Sequence, residues 1–215
     1  MAGSLGMERV YGGLTAEQRD ERRRGQLLDA GLEVFSERGW DGATVHDVCK
    51  TAGLSQRYFY DHFADRQELF LEICRGISGD IDRIALAAAV SKGREPLDRV
   101  ADVLGALAGY FQEDPRRVRV SLVESMATPE LRQFRSRMLG TSATLAARLM
   151  LSIHPMPARA DTAGIALSAR VLSGGIAELL VAAAAGEVAL DPDAFIAHLT
   201  RLYTAAAALD VNGAP

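Results

Sequence analysis

The sequence predicts an all-α fold of about nine helices in two domains, and three observations carry that expectation. Apolar residues recur at spacings of three and four along nearly the whole chain, and no useful stretch alternates in the manner of a strand. Cap signals at Thr15, Thr44, Ser55, Asp65, Thr128 and Asp191 punctuate the apolar runs. At 215 residues, 48% hydrophobic and 24% charged, the chain has an ordinary globular balance and enough length to bury a core.

Residues 1–14, glycine-rich with few apolar anchors, are expected to form a flexible arm. Thr15 with Gln18 reads as a capping box, after which Leu27, Leu28, Ala30, Leu32, Val34 and Phe35 give the first helix an apolar face that stops at Gly39. Thr44 with Asp47 opens a second, very short helix, Gly53 suits its left-handed C-cap, and Ser55 is placed to cap a third. Asp65 with Glu68 opens a long fourth helix with Phe70, Ile73, Cys74, Ile77, Ile81 and Ile84 on one stripe. A fifth helix is predicted over 97–112 and a sixth from Pro115 through Met126. Thr128 and Pro129 start a seventh, which carries Leu131, Phe134, Met138, Leu145 and Leu149. The segment "HPMPARAD" reads as a loop. An eighth helix holds Leu172, Ile176, Leu179 and Leu180, and Asp191 with Pro192 opens a ninth through Phe195, Leu199, Leu202 and Ala206.

Composition removes several function classes. The net charge of −4 tells against a general polyanion binder, and nine Lys or Arg against eleven Asp or Glu through Arg66 leave the N-terminal part without a basic surplus. Any nucleic-acid contact must rest on local geometry, with Arg22, Arg23, Arg24, Lys50, Arg57 and Arg66 as the cations at hand. Cys49 and Cys74 fall at apolar helical positions, as buried reduced thiols do. The run "GGIAELLVAAAAGEVAL" is interrupted by Glu178 and Glu187 and fails as an uninterrupted membrane span. The N-terminus lacks an apolar signal-peptide core, so the expected location is cytoplasmic. The four histidines are scattered and no zinc motif, phosphate-cradling loop or nucleophile elbow is present, so neither metal, cofactor nor enzymatic activity is expected.

The stretch "TVHDVCKTAGLSQRYFYDHF" carries the sharpest signal. Two short helices joined by Ala52, Gly53, Leu54 and Ser55 form a helix-turn-helix pattern, and the second presents Gln56, Arg57, Tyr58 and Tyr60, side chains able to reach base edges and phosphates. Phe59 and Phe63, at i and i+4, can share a core face. Tyr58 and Tyr60 cannot, so at least one tyrosine is exposed. Two ordinary short helices in a bundle would give the same caps but leave Arg57 and the tyrosines unexplained.

Over residues 27–70, with "ERGWDGATV", "DVCKTAGLS" and "YFYDHFADRQELF", the chain resembles the TetR family of transcriptional regulators. The resemblance implies a helix-turn-helix DNA-binding domain over 15–64 and a ligand-binding and dimerisation domain over 65–215, working as a homodimer on an operator in double-stranded DNA. Gln56, Arg57 and Tyr58 match base-reading positions, and Thr44, Tyr60 and His62 match phosphate contacts. Val45, His46 and Ser55 lie beside them, and Arg66 matches a cation that often opens the fourth helix. Many members carry a small residue where this chain has Arg57, which could read guanine or fold back onto a phosphate.

For the second domain the resemblance implies a pocket for a small-molecule effector. Ile77, Leu107, Phe111, Met126, Phe134 and Met138 are its candidate apolar lining, and Arg119 or Glu124 its polar anchor. It also implies a dimer seam on the last two helices, with Gly175, Leu179, Ala183, Leu199 and Leu202 as candidates. Gly174 and Gly175 each cost a helix about 1 kcal/mol relative to alanine, which suggests a close helix approach there. A helical bundle that binds small molecules or proteins without DNA is the competing class, and an enzyme a more distant one.

Overall fold

The computed structural model describes residues 15–90, 93–154, 161–189 and 191–209. The arm over 1–14 and the loop residues 155–160 lie outside them. Among the described residues the chain is all-helical, with nine helices and no strand. It divides into two compact units, one ending at Ile73 and one beginning at Cys74. The boundary therefore falls inside the fourth helix rather than before it, because the first turns of that helix pack on the first.

In the first unit α1 spans Ala16–Gly42, with Thr15 and Gln18 forming the reciprocal capping box. Gly39 does not end it outright: it breaks the helix with φ 68°, a left-handed conformation open to glycine, and one further turn follows. That turn places Trp40 5.9 Å from Phe35 and 5.3 Å edge-on from Phe70, closing a three-ring core. Helix α2 spans Val45–Ala52 and α3 spans Gln56–His62; Gly53 between them has φ 66° and its N–H donates to the carbonyls of Cys49 and Lys50. Helix α4 spans Arg66–Ala89. Its first turns seat against Gly31 so closely that a Cβ there would lie 2.8 Å from Ile73 Cδ1 and 2.9 Å from Leu69 Cδ2.

The second unit contains the rest of α4, α5 (Pro96–Glu113), α6 (Arg116–Val118), α7 (Pro129–Ile153), α8 (Thr162–Ala184) and α9 (Pro192–Ala207). Helix α6 continues as a π-helical turn over Arg119–Val123 and a 3₁₀ turn over Glu124–Met126. Ser121 Oγ donates to the Arg117 carbonyl and Ser125 Oγ to that of Ser121, both at 2.6 Å, so hydroxyls hold the widened backbone where the regular ladder lapses. The core of this unit joins Val100 and Val103 of α5, Leu149 and Met150 of α7, Ile165 and Ala169 of α8, and Leu199 and Tyr203 of α9. Helix α8 starts ten residues before Leu172, capped by Asp161, whose carboxylate accepts from the N–H groups of Ala163 and Gly164. At that length, and despite Glu178 within it, α8 is apolar enough to cross a membrane by length and composition, which the shorter run read from the sequence was not.

Candidate functional site

Helix α3 owes its orientation to Phe59 and Phe63, both essentially fully buried, which press its inner face onto the core of the first unit. Ser55, Gln56, Arg57 and Tyr60 are thereby turned outward, Tyr60 with 57% of its surface exposed. Ser55 occupies the N-cap position in an extended conformation, yet its hydroxyl makes no cap bond; the backbone carbonyl alone accepts from Tyr58 and Phe59.

At the start of α2, the Thr44 hydroxyl accepts from the Asp47 N–H at 3.2 Å and donates to its carboxylate at 2.6 Å. The Thr44 hydroxyl and, next, the Arg38 guanidinium at 2.7 Å hold the Asp47 carboxyl below its ordinary range. Thr44 and His46 are exposed and Val45 is half-buried beside them. Lys50 and Arg57 project freely, so the cations on this face are few and specific rather than a broad patch.

Three further residues of this set, Tyr58, His62 and Arg66, lie against other parts of the first unit. Tyr58 is half-buried under the Arg23 guanidinium, 4.3 Å from its ring centroid. The His62 side chain is only 8% exposed, with Nε2 3.5 Å from Asp20 Oδ1 and no hydrogen-bond partner among the described residues. Arg66 donates from Nη1 to the carbonyls of Trp40 and Ala43 at 2.9 and 2.6 Å and stacks over the Trp40 ring. It fixes the extra turn of α1 to α4, which is a structural use of the charge. Arg24 likewise pairs with Glu72 at 3.0 Å.

The second unit holds an apolar cavity of about 120 Å³ between α5, α6, α7, α8 and α9, with Ile81 of α4 at its wall. It is somewhat smaller than the void of about 150 Å³ that admits benzene, so as it stands it suits a small apolar group. Of the residues expected there, Leu107, Phe111 and Met138 line it. Phe134 packs in the neighbouring cluster of Val118, Leu122 and Met138. Ile77 is buried away from the lining. Met126 is 48% exposed and borders a separate depression. Arg119 and Glu124 pair with each other at 3.3 Å and neither reaches the cavity.

The polar groups that do reach it were not read from the sequence: Ser121, Ser142, Ser173 and Tyr203. The first two donate to backbone carbonyls within their own helices. Burial pushes the Tyr203 hydroxyl up to about 12, which keeps it protonated and a donor. Leu199, assigned to a dimer seam, lies inside: it is 3% exposed and lines the cavity with Tyr203. The buried stripe of α9 runs Leu199, Tyr203, Ala206, Ala207, so the step after Leu199 is four residues to Tyr203 and not three to Leu202, which stays partly exposed.

Gly174 and Gly175 are exposed, with no other part of the described chain within 4 Å of where a Cβ would stand. With Leu167 and Val171 they make an uncovered apolar face on α8, and Leu179 and Ala183 flank it half-buried. Among the described residues no group of three or more His, Cys, Asp or Glu side chains is placed to hold a metal. Cys49 and Cys74 are free and buried, and burial raises the Cys74 thiol to about 12.

The family profile described as "Bacterial regulatory proteins, tetR family" matches residues 27–73, which are the helix-turn-helix and its supports. The HTH-type transcriptional regulator BetI of Agrobacterium fabrum is 30% identical over 159 residues, covering 72% of this chain and 74% of that protein. The HTH-type transcriptional repressor KstR2 of Mycobacterium tuberculosis is 32% identical over 105 residues, covering 49% of this chain and 46% of that one. Among solved structures, FadR of Bacillus subtilis, crystallised with stearoyl-CoA, shares the fold at a TM-score of 0.72 and 18% identity, over 85% of this chain and 98% of that chain. A matched DNA-binding profile at the helix-turn-helix, and a relative aligned over most of both chains, lead to one conclusion: this chain belongs to the TetR family of bacterial regulatory proteins and is a transcriptional regulator, not an enzyme.

Proposed function

We propose that this regulator is a cytoplasmic repressor that binds a palindromic operator as a homodimer and leaves it when a small, largely apolar effector enters the cavity of the second unit. The observation that carries the reading is the cavity itself: a void walled by apolar side chains, with hydroxyls as its polar groups, in a chain whose first unit presents Ser55, Gln56, Arg57 and Tyr60 outward. Structural kinship with a FadR that holds stearoyl-CoA supports an apolar effector, and kinship with the repressor KstR2 supports repression.

The partner of the α8 face is a second copy of the chain. Two adjacent glycines in mid-helix, uncovered and flanked by Leu167 and Val171, allow another helix to approach to backbone distance, and pairing two recognition helices matches a two-fold operator. Helix α4 is the element able to report the effector, since it supplies Ile81 to the cavity wall and Phe70 to the core beside the helix-turn-helix. An effector preferring the non-binding conformation by about 1–3 kcal/mol weakens operator affinity several-fold or more, and operator weakens effector binding by the same factor. The test is anisotropy of labelled DNA from upstream of the protein's own gene, with and without effector. Tight binding by a dimer, relieved by effector, is expected. No specific binding would leave an effector-binding bundle without DNA, and binding unchanged by effector would remove the release mechanism.

A further inference from the structure

Beside the apolar cavity, and sharing Leu139 with it, lies a depression of about 300 Å³ bordered by Met126, Arg132, Arg135 and Arg170, and by Gly174 at the edge of the α8 face given above to a second copy. Two of these arginines are anchored by single bonds: Arg132 Nη1 donates to the Met126 carbonyl at 2.9 Å and Arg135 Nε to the Leu122 carbonyl at 3.2 Å. A guanidinium has five N–H donors, so most remain unspent. Glu130 is influenced by the charge of Arg132, but none of the three arginines forms an ion pair within 4.0 Å among the described residues. In a chain of net charge −4, where Arg24, Arg38, Arg94, Arg116 and Arg119 all hold carboxylates, three unpaired guanidinium groups around one hollow are a concentration of like charge that an anion relieves. Their forked donors suit phosphate or carboxylate oxygens.

We propose that the effector is an anionic amphiphile, its apolar chain filling the cavity and its phosphate or carboxylate head group held across Leu139 by Arg132, Arg135 and Arg170. This rests on the effector reading above and specifies its chemistry. The cavity alone selects for apolarity, whereas the arginines favour an anionic head group over a neutral one of the same shape. They also place the head group at the irregular end of α6, because the carbonyls that aim Arg132 and Arg135 belong to Leu122 in the π turn and Met126 in the 3₁₀ turn. Binding of the anion therefore acts on the segment of the cavity wall where the regular helical ladder lapses.

The test is calorimetric titration of the full chain with octyl phosphate, octanoate, 1-octanol and inorganic phosphate. Octyl phosphate is expected to bind at least tenfold more tightly than octanol or inorganic phosphate, with the advantage shrinking as salt rises. Octanoate matching it would support the site with a carboxylate as sufficient head group; octanoate behaving like octanol would support it with phosphate as the selected one. Arg170→Gln, at an exposed position, and Arg135→Gln are expected to erase the advantage while leaving octanol affinity unchanged, and Arg170→Lys is expected to retain part of it. Equal affinities for octyl phosphate and octanol, no binding of either, or an advantage that survives both glutamine variants, would overturn the proposal. Operator anisotropy separates this from the reading it rests on: head-group-dependent binding with no operator release would sustain the site and defeat the release mechanism.

Discussion

The Tyr110 hydroxyl donates to Asp80 Oδ2 at 3.1 Å, a bond that joins α5 to α4 thirty residues earlier in the chain. The Tyr110 ring is covered on one side by the Arg117 guanidinium at 4.0 Å, whose Nη1 also donates to the Tyr110 backbone carbonyl. Three helices thus meet on one side chain, and burial with the neighbouring Asp80 carboxylate pushes the tyrosine hydroxyl well above its usual range, so it stays a donor. Tyr110→Phe is expected to lower unfolding free energy by about 1 kcal/mol, since Asp80 retains Arg83 as a partner at 2.8 Å. Urea denaturation at neutral pH checks this; a loss near zero would show that the bond does not hold α4 in place.

On the DNA face, Arg57 and Arg66 are expected to part company. Arg57→Ala should cost roughly 1–3 kcal/mol of cognate binding and relax base preference at one position, while Tyr60→Phe weakens all sequences alike. Arg66→Ala should act mainly on stability, because its guanidinium is spent on the Trp40 and Ala43 carbonyls. Equal losses on cognate and scrambled DNA for Arg57→Ala would remove its base-reading role. A large change in the salt slope for Arg66→Ala would instead place its charge on the DNA backbone.

Gly31→Val is expected to destabilise by about 1–3 kcal/mol, because the added methyls enter space held by Leu69 and Ile73. Thermal unfolding reads the loss. Gly174→Ala, where no neighbour stands within 4 Å in the chain, should leave a monomer as stable or more so.

Assembly on α8 is expected to fail in Val171→Arg, giving a monomer by light scattering with much weaker operator binding. Leu199→Arg is the contrasting variant: it should unfold the second unit rather than separate subunits, since Leu199 is enclosed by its own chain.

Acid sensitivity follows from three carboxylates. Hydrogen bonds hold each below its ordinary value: from Arg116 to Asp114, from Thr44 to Asp47, and from Arg94 to Asp102. A lowered folded-state value means stability is fully present above the ordinary carboxylate range, about pH 4, and is lost as pH falls through the folded values. Urea midpoints are expected to be flat from pH 7 to 5 and to fall below pH 4, less steeply in Asp114→Asn. A midpoint that rose on acidification would contradict these assignments.

Local chemistry was legible wherever one residue type answers one backbone demand. Gly53 for a left-handed C-cap, Thr15 with Gln18 for a capping box, and Phe59 with Phe63 for a shared inner face all stand as the sequence reads. What the sequence could not display is how long side chains resolve competing partners. Arg66 and His62 sit at positions facing either way, and the Trp40 carbonyl and Asp20 decide the matter only once α1 is folded. On α9 the apolar pattern allows steps of three and four alike: the step to Leu202 hides Tyr203, and the seam implied by the resemblance claims Leu199, which the chain's own core encloses. Ser121 had no signal at all, since a π turn leaves no pattern in residue types.

The widened turn at Arg119–Val123 has a genetic consequence. An i to i+5 turn accommodates one residue more than the α-helical path needs, so the segment carries a spare position in its count. Deleting one residue between Val120 and Val123 should let the π turn close to ordinary α-helical winding, with the segments before and after it kept in register and only the residues of the turn itself re-aimed. Such a chain would be folded yet deaf: competent on DNA, with Ser121 and Leu122 swung out of register with the effector. Non-inducible alleles of this regulator should therefore include in-frame single-codon deletions here, a class of lesion that elsewhere in a packed helix gives loss of function.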